Sequence, residues 1–249
     1  MNMKYVIIAA VVVVVAIIGT FFTWNMIHKP TGPSFNELLN ETNTKTYTAS
    51  YYYFIYSNIA GQVTNQGYEF VYSQRGSSDR YIVVTTTSQP IMSLYIVTTQ
   101  LSNGSLIQCV AQPLYSGCFV ANQTFNLVNL ALPTANSSRF EPVGMQRILN
   151  YSAYCYVSRN VTALGNIVPA AIQSGLGSLP VNVTSEVCMT PDGIPLLLRL
   201  SVFTTLSVSG YSAPLNITQA LLATSVEDGV YLSNNATLLL SKLGVNATG

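Results

Sequence analysis

The sequence predicts a mainly β fold of the α+β kind: a curved antiparallel sheet with a few short helices, preceded by one amino-terminal transmembrane helix. Three observations lead there. Residues 47–112 carry successive Tyr-, Val-, Ile- and Thr-rich segments separated by Gly, Ser, Asn and Asp. An uncharged run extends from Tyr5 to Ile27, with no polar side chain between Val6 and Gly19. Charged residues make up 8% of the 249 and hydrophobic residues 49%, against about a quarter charged in ordinary soluble domains.

The leading run sets the organisation. As a helix it would span about 34 Å, enough for a bilayer core. Tyr5 at one end and Phe21, Phe22 and Trp24 at the other suit the two interfaces. A cleaved signal peptide is the competing reading, but its apolar region is about 7–15 residues long and ends at a small-x-small site. Here the bulky Gly19-Thr20-Phe21-Phe22-Thr23-Trp24 follows. The chain divides into a cytoplasmic amino terminus (1–4), an anchor (5–27), a stalk with a short helix (28–46) and an extracellular β-rich domain (47–249). This predicts a single-pass protein of the cell membrane, with the lipid bilayer as partner of its first helix.

Within the exported part, Ser34 and Glu37 form a capping box that starts the short helix. Strands follow near 47–57, 67–74, 79–88, 91–101 and 105–112, with turns at Gly76-Ser77-Ser78-Asp79 and Ser102-Asn103-Gly104-Ser105. The Asn-Gly pair suits a type I′ hairpin. Residues 122–132 and 143–149 read as short helices. Leu164, Val168, Ile172 and Leu176 repeat at helical spacing around Pro169, a kinked helix or flap that either lines an apolar cavity or packs in the core. Strands resume near 151–158 and 183–190, and Pro191-Asp192-Gly193 turns into another in which Leu198, Leu200 and Val202 alternate with Arg199 and Ser201. A last helix covers Ala236 to Leu243, stopped by Gly244. The run Tyr51–Tyr56 reads either as an edge strand open to a neighbouring molecule or as a strand buried within the sheet.

Two further marks point to export. Ten Asn-x-Ser/Thr sequons follow the anchor: Asn40, Asn103, Asn122, Asn136, Asn150, Asn160, Asn182, Asn216, Asn235 and Asn246. Chance would supply about four among the asparagines present. The four cysteines, Cys109, Cys118, Cys155 and Cys188, lack any C-x-x-C spacing and read as disulfides, with Cys109–Cys118 and Cys155–Cys188 favoured among three pairings.

Chemistry is scarce. His28 is the only histidine and lies beside the anchor, which removes Ser-His-Asp, Cys-His and zinc sites from the domain. No phosphate loop or dinucleotide fingerprint occurs. The net charge of +1, without a basic run, gives no nucleic-acid footprint. No cofactor and no catalytic residue is expected. With nine carboxylates in all, little couples folding to acid, and the domain is expected to stay folded near pH 3.

The anchor, the Tyr/Ser/Thr/Asn-rich strands, the sequons and the low charge together resemble small membrane-anchored surface glycoproteins of thermoacidophilic archaea. Locally, Tyr154-Cys155-Tyr156, Val187-Cys188 and Asp192-Gly193-Ile194-Pro195-Leu196 look like the later part of lipoprotein-carrier-type half-barrels. That resemblance implies a curved sheet wrapped around helices and holding acyl chains; the lipobox cysteine of lipidated members is absent. Three readings follow. The first is a non-catalytic extracellular glycoprotein with an envelope or membrane-protein partner, acting in cell-envelope assembly or as an accessory subunit of a membrane complex. The second is a carrier of lipid or another apolar ligand in a half-barrel cavity. The third is a carboxylate-dependent hydrolase.

Overall fold

The computed structural model describes residues 32–122, 124, 126–128, 139–167, 171, 175–208 and 211–245. The anchor at 5–27, His28, the sequons Asn136 and Asn246 and most of 122–132 lie outside them. Residues 33–249 form one compact unit, and among the described residues no helix is long and apolar enough to cross a membrane.

The chain enters through helix α1, Phe35–Thr44. Both halves of its capping box are made: the Ser34 hydroxyl accepts from the Glu37 amide at 3.3 Å, and the Glu37 carboxylate accepts from the Ser34 amide at 2.6 Å. Phe35, Leu38 and Thr42 are its buried residues; Phe35 and Leu38 fall three apart, on one face.

Eleven strands then make a single antiparallel sheet. The first meander is β1 Tyr47–Ile59, β2 Gln62–Arg75, β3 Asp79–Thr86, β4 Ser93–Gln100, β5 Leu106–Gln112 and β6 Tyr115–Ala121. The second is β7 Glu141–Ile148, β8 Tyr151–Ala163, β9 Pro180–Met189, β10 Pro195–Val208 and β11 Tyr211–Asp228. They join where β1 pairs with β11, so the spatial order is β6-β5-β4-β3-β2-β1-β11-β10-β9-β8-β7. Sequence neighbours pair throughout each meander, which needs only short turns. Helix α2, Ser233–Lys242, closes the fold.

The sheet is bent around α1. Strands β2 and β9 are separated by four inter-strand steps, about 19 Å in a flat sheet. Yet Thr42 touches both sides: its carbonyl accepts from Gln74 of β2, and its hydroxyl donates to Gly193 beside β9 and lies 3.6 Å from the Met189 sulfur. At the other end of α1, Phe35 stacks on Phe140 with ring centroids 4.1 Å apart and meets Tyr156 of β8 edge-on. One helix contacting both wings requires a concave face. Buried Tyr47, Tyr51, Tyr72, Ile82, Val187, Leu196 and Leu198 form the core with it. Gly193 is fixed by the same approach: its φ is +86°, and a Cβ there would lie 2.8 Å from both the Leu38 carbonyl oxygen and the Thr42 nitrogen.

The opposite, convex face is covered at β3–β5 by α2. Ala236 and Leu240 pack on the cross-strand row Tyr81, Val97 and Cys109. Cys109–Cys118 continues that row to β6, and Cys155–Cys188 joins β8 to β9; each bridges directly opposed residues, with Cα atoms 4.0 and 4.1 Å apart.

Several expectations need correction. Residues 143–149 lie in β7 and its turn, not in a helix, because Glu141–Ile148 finds a hairpin partner in β8. The Ser102-Asn103-Gly104 loop is not type I′. Only Gly104 has positive φ (+84°), and its amide bonds the Leu101 carbonyl, giving a type I turn followed by a left-handed glycine. Tyr51–Tyr56 is no edge: β1 is paired with β2 on one side and β11 on the other. Of the expected flap, Leu164–Asn166 forms a single 3-10 turn, and Leu164 and Ala171 are buried in the core.

Candidate functional site

The concave face is filled unevenly. In β1 the rows at Tyr47, Ala49 and Tyr51 are fully buried beneath α1, whereas Tyr53 and Ile55, farther along the same face, are half-buried. On the same face β2 and β3 repeat this change at Tyr68 and Val84, and β11 at Gln219, whereas Leu198, Leu200 and Val202 of β10 stay buried. Over β1, β2 and β3 the face is thus only partly covered.

There a cavity of about 240 Å³ opens, lined by Tyr53, Phe70, Val84, Leu198, Gln219, Ala220 and Leu221. Its residues come from β1, β2, β3, β10 and β11, the centre of the sheet. Alternation puts Tyr53, Phe70, Val84, Leu198 and Leu221 on one side, so the lining is apolar by construction. Among the described residues one polar pair interrupts it: the Tyr53 hydroxyl donates to Gln219 Oε1 at 3.1 Å. Burial raises the Tyr53 phenol pKa, and the nearby Tyr68 adds to this. The pair is a neutral hydrogen-bonding point in an otherwise apolar wall. Among the described residues, no charged group lines the cavity.

Beside it, farther along the same face, lies a buried tyrosine cluster. Tyr51 donates to the Pro195 carbonyl at 2.8 Å, and Tyr72 donates to Gln74 Oε1 at 3.0 Å. Gln74 in turn bonds the Thr42 and Lys45 carbonyls at the end of α1. Burial raises the phenol pKa of Tyr47 and Tyr51 far above its ordinary value and pushes that of Tyr72 up to about 12.

A larger groove of about 610 Å³ lies on the convex side, between α2 and β3–β5. It is more open, and Lys242 and the sequon Asn235 line it. We take the smaller, apolar cavity as the site, because ligand pockets combine apolar walls with few convergent polar groups.

The sequence-derived residues fall elsewhere. Both disulfides are formed, Cys109–Cys118 and Cys155–Cys188, but neither lines the cavity, nor does any described residue of the 164–176 segment. Among the described sequons, Asn40, Asn103, Asn122, Asn150, Asn182 and Asn235 are exposed and Asn160 and Asn216 half-buried. Of the lining residues, Tyr53 lies in the Tyr51–Tyr56 run that the sequence marks, while nothing in the sequence distinguishes Phe70, Val84, Gln219 and Leu221. The apolar alternation through Leu198 and Leu200 marks another part of this face. Among the described residues, no three His, Cys, Asp or Glu side chains converge as a metal site would require.

No family model matches the chain, and no curated protein does; the resemblance to archaeal surface glycoproteins therefore gains no named relative. Solved structures with a similar arrangement include a DUF1329 family protein from Desulfovibrio piger, 10% identical at a TM-score of 0.33, over 86% of this chain and 100% of that one. MucB is 12% identical at a TM-score of 0.39, over 80% of this chain and 59% of its own. A putative outer membrane lipoprotein-sorting protein domain from Vibrio parahaemolyticus is 8% identical at 0.33, over 82% and 95%. Likenesses this distant transfer no role.

Proposed function

We propose that this chain is a non-catalytic, exported binding protein that holds an apolar ligand, such as the acyl chain of a lipid, on the concave face of its sheet. The observation that carries the reading is the cavity bounded by Tyr53, Phe70, Val84, Leu198 and Leu221. It is larger than the roughly 150 Å³ apolar cavity that stays dry and takes up benzene. Burying apolar surface there contributes about 25 cal/mol per Å², and the Tyr53–Gln219 pair offers one place for an ester or hydroxyl to bond. Of the readings drawn from the sequence, this favours the apolar carrier over the envelope-assembly role. The two disulfides and the solvent-facing sequons suit an oxidising compartment outside the cell.

Photolabelling tests this. A long-chain fatty acid bearing a diazirine, photolysed with the full chain in nanodiscs, should label Tyr53, Phe70, Val84, Leu198 or Leu221. Leu198→Trp should fill the space and remove that label while the far-ultraviolet circular dichroism stays unchanged. Labelling confined to residues 1–31 or to the convex groove, or labelling indifferent to Leu198→Trp, would refute the proposal.

A further inference from the structure

The two edges of the sheet differ in a way that bears on assembly. An unpaired edge strand offers a row of free N–H and C=O groups, and proteins guard such rows with charge, proline or bulges. Edge β7 is guarded by all three. It carries Glu141, Arg147 and Pro142, which has no N–H, and its register breaks between Pro142 and Gly144, where φ is +131°. Edge β6 has none of these. Its sequence is Tyr-Ser-Gly-Cys-Phe-Val-Ala, and no Asp, Glu, Lys, Arg or His occurs anywhere from Tyr81 to Ser138. Val120 is 73% exposed, Phe119 49% and Tyr115 56%, and the adjoining turn residue Leu114 is 97% exposed.

The outward groups can be identified. Cys109 and Cys118 stand opposite one another with Cα atoms 4.0 Å apart, the close spacing of a pair that exchanges no backbone hydrogen bonds. The N–H and C=O of Cys118 therefore point away from β5. Alternation gives the same orientation to Ser116 and Val120. The disulfide ties β6 to β5 in this register.

We propose that β6 pairs antiparallel with β6 of a second copy of this chain, making one sheet continuous across a two-fold dimer. A register centred on Cys118 sets Cys118 opposite Cys118 and Ser116 opposite Val120 in both directions, so every outward N–H and C=O of these three residues finds a partner. An uncharged strand meets its own copy without repulsion. Pairing of β6 with β7 of another copy would give an open-ended array, and the proline, bulge and charges of β7 block it. The sequon Asn122 lies two residues past Val120, outside the paired span.

The test is the mass of the full chain in mild detergent, by light scattering across a dilution series, with three variants. Val120→Pro removes an outward N–H and fixes φ there, and Val120→Lys sets a strongly hydrated charge on the shared edge; each should weaken dimerisation at least tenfold while Cys109–Cys118 still forms on unreduced peptide mapping. Val143→Lys on β7 should leave the dimer unchanged. A monomer at every concentration would overturn the proposal, and so would a dimer insensitive to both Val120 variants or one lost with Val143→Lys.

Discussion

Raising the pH should attack this fold from its centre. Tyr47, Tyr51 and Tyr72 are each no more than 1% exposed, and burial raises all three phenol pKa values. In the unfolded chain they ionise near pH 10. For an acid whose folded pKa is raised, the stability it contributes is whole below the unfolded pKa and is lost as pH climbs above it. For a phenol that stays protonated in the fold, the unfolded state gains about 1.4 kcal/mol at pH 11 and about 2.7 kcal/mol at pH 12. Three such phenols, with Tyr72 already half ionised near pH 12, give roughly 4 kcal/mol at pH 11 and roughly 8 kcal/mol at pH 12, against a total stability of about 5–15 kcal/mol. The assay is a rapid pH jump followed by tyrosinate absorbance and far-ultraviolet circular dichroism together. Exposed phenols should ionise at once while the sheet persists, and at least three of the sixteen tyrosines should ionise only as the sheet is lost. Immediate ionisation of all of them with the sheet signal intact would refute the reasoning.

The acid limb should be shallow by comparison. Asp192 is pushed up by burial but held below its ordinary value on balance by Lys45 and Thr190, so its stabilisation is present above about pH 4 and fades as pH falls through its lowered folded pKa. With few such groups the circular dichroism at pH 3 should match that at pH 7, and loss of near-ultraviolet signal would contradict this. Removing Cys155–Cys188 by paired Cys→Ala substitution should cost about 3.7 kcal/mol in denaturant unfolding, and removing Cys109–Cys118 about 2.7 kcal/mol, because the longer loop restricts the unfolded chain more; the reverse order would count against the loop argument. Gly193→Ala should cost about 1–3 kcal/mol or more, since the added Cβ meets the backbone of α1 at 2.8 Å. A thermal midpoint equal to that of the native chain would show that the turn yields.

Local chemistry was readable where it decides structure locally. The capping box of Ser34 and Glu37, the Pro191-Asp192-Gly193 turn and the Tyr- and Val-rich strands from β1 to β5 all follow from short-range preferences. Strand β11 was not legible. Its Gln219-Ala220-Leu221-Leu222-Ala223 segment favours helix by propensity, and Pro214 argues against an interior strand. Tertiary pairing with β1 and β10 along its length overrides both. Edge strands β6 and β7 were missed for a related reason: their exposed residues show no buried-face alternation.

What the sequence settled by itself is the class of the structure and its cross-links, because β-rich texture, turn residues and cysteine spacing act over short stretches of chain. Only the tertiary structure decided which strand is central, which edges are bare and where the concave face stays unfilled. Those depend on pairings between residues as distant as Tyr53 and Leu221 and on where α1 ends against the sheet. No local pattern records contacts across such separations.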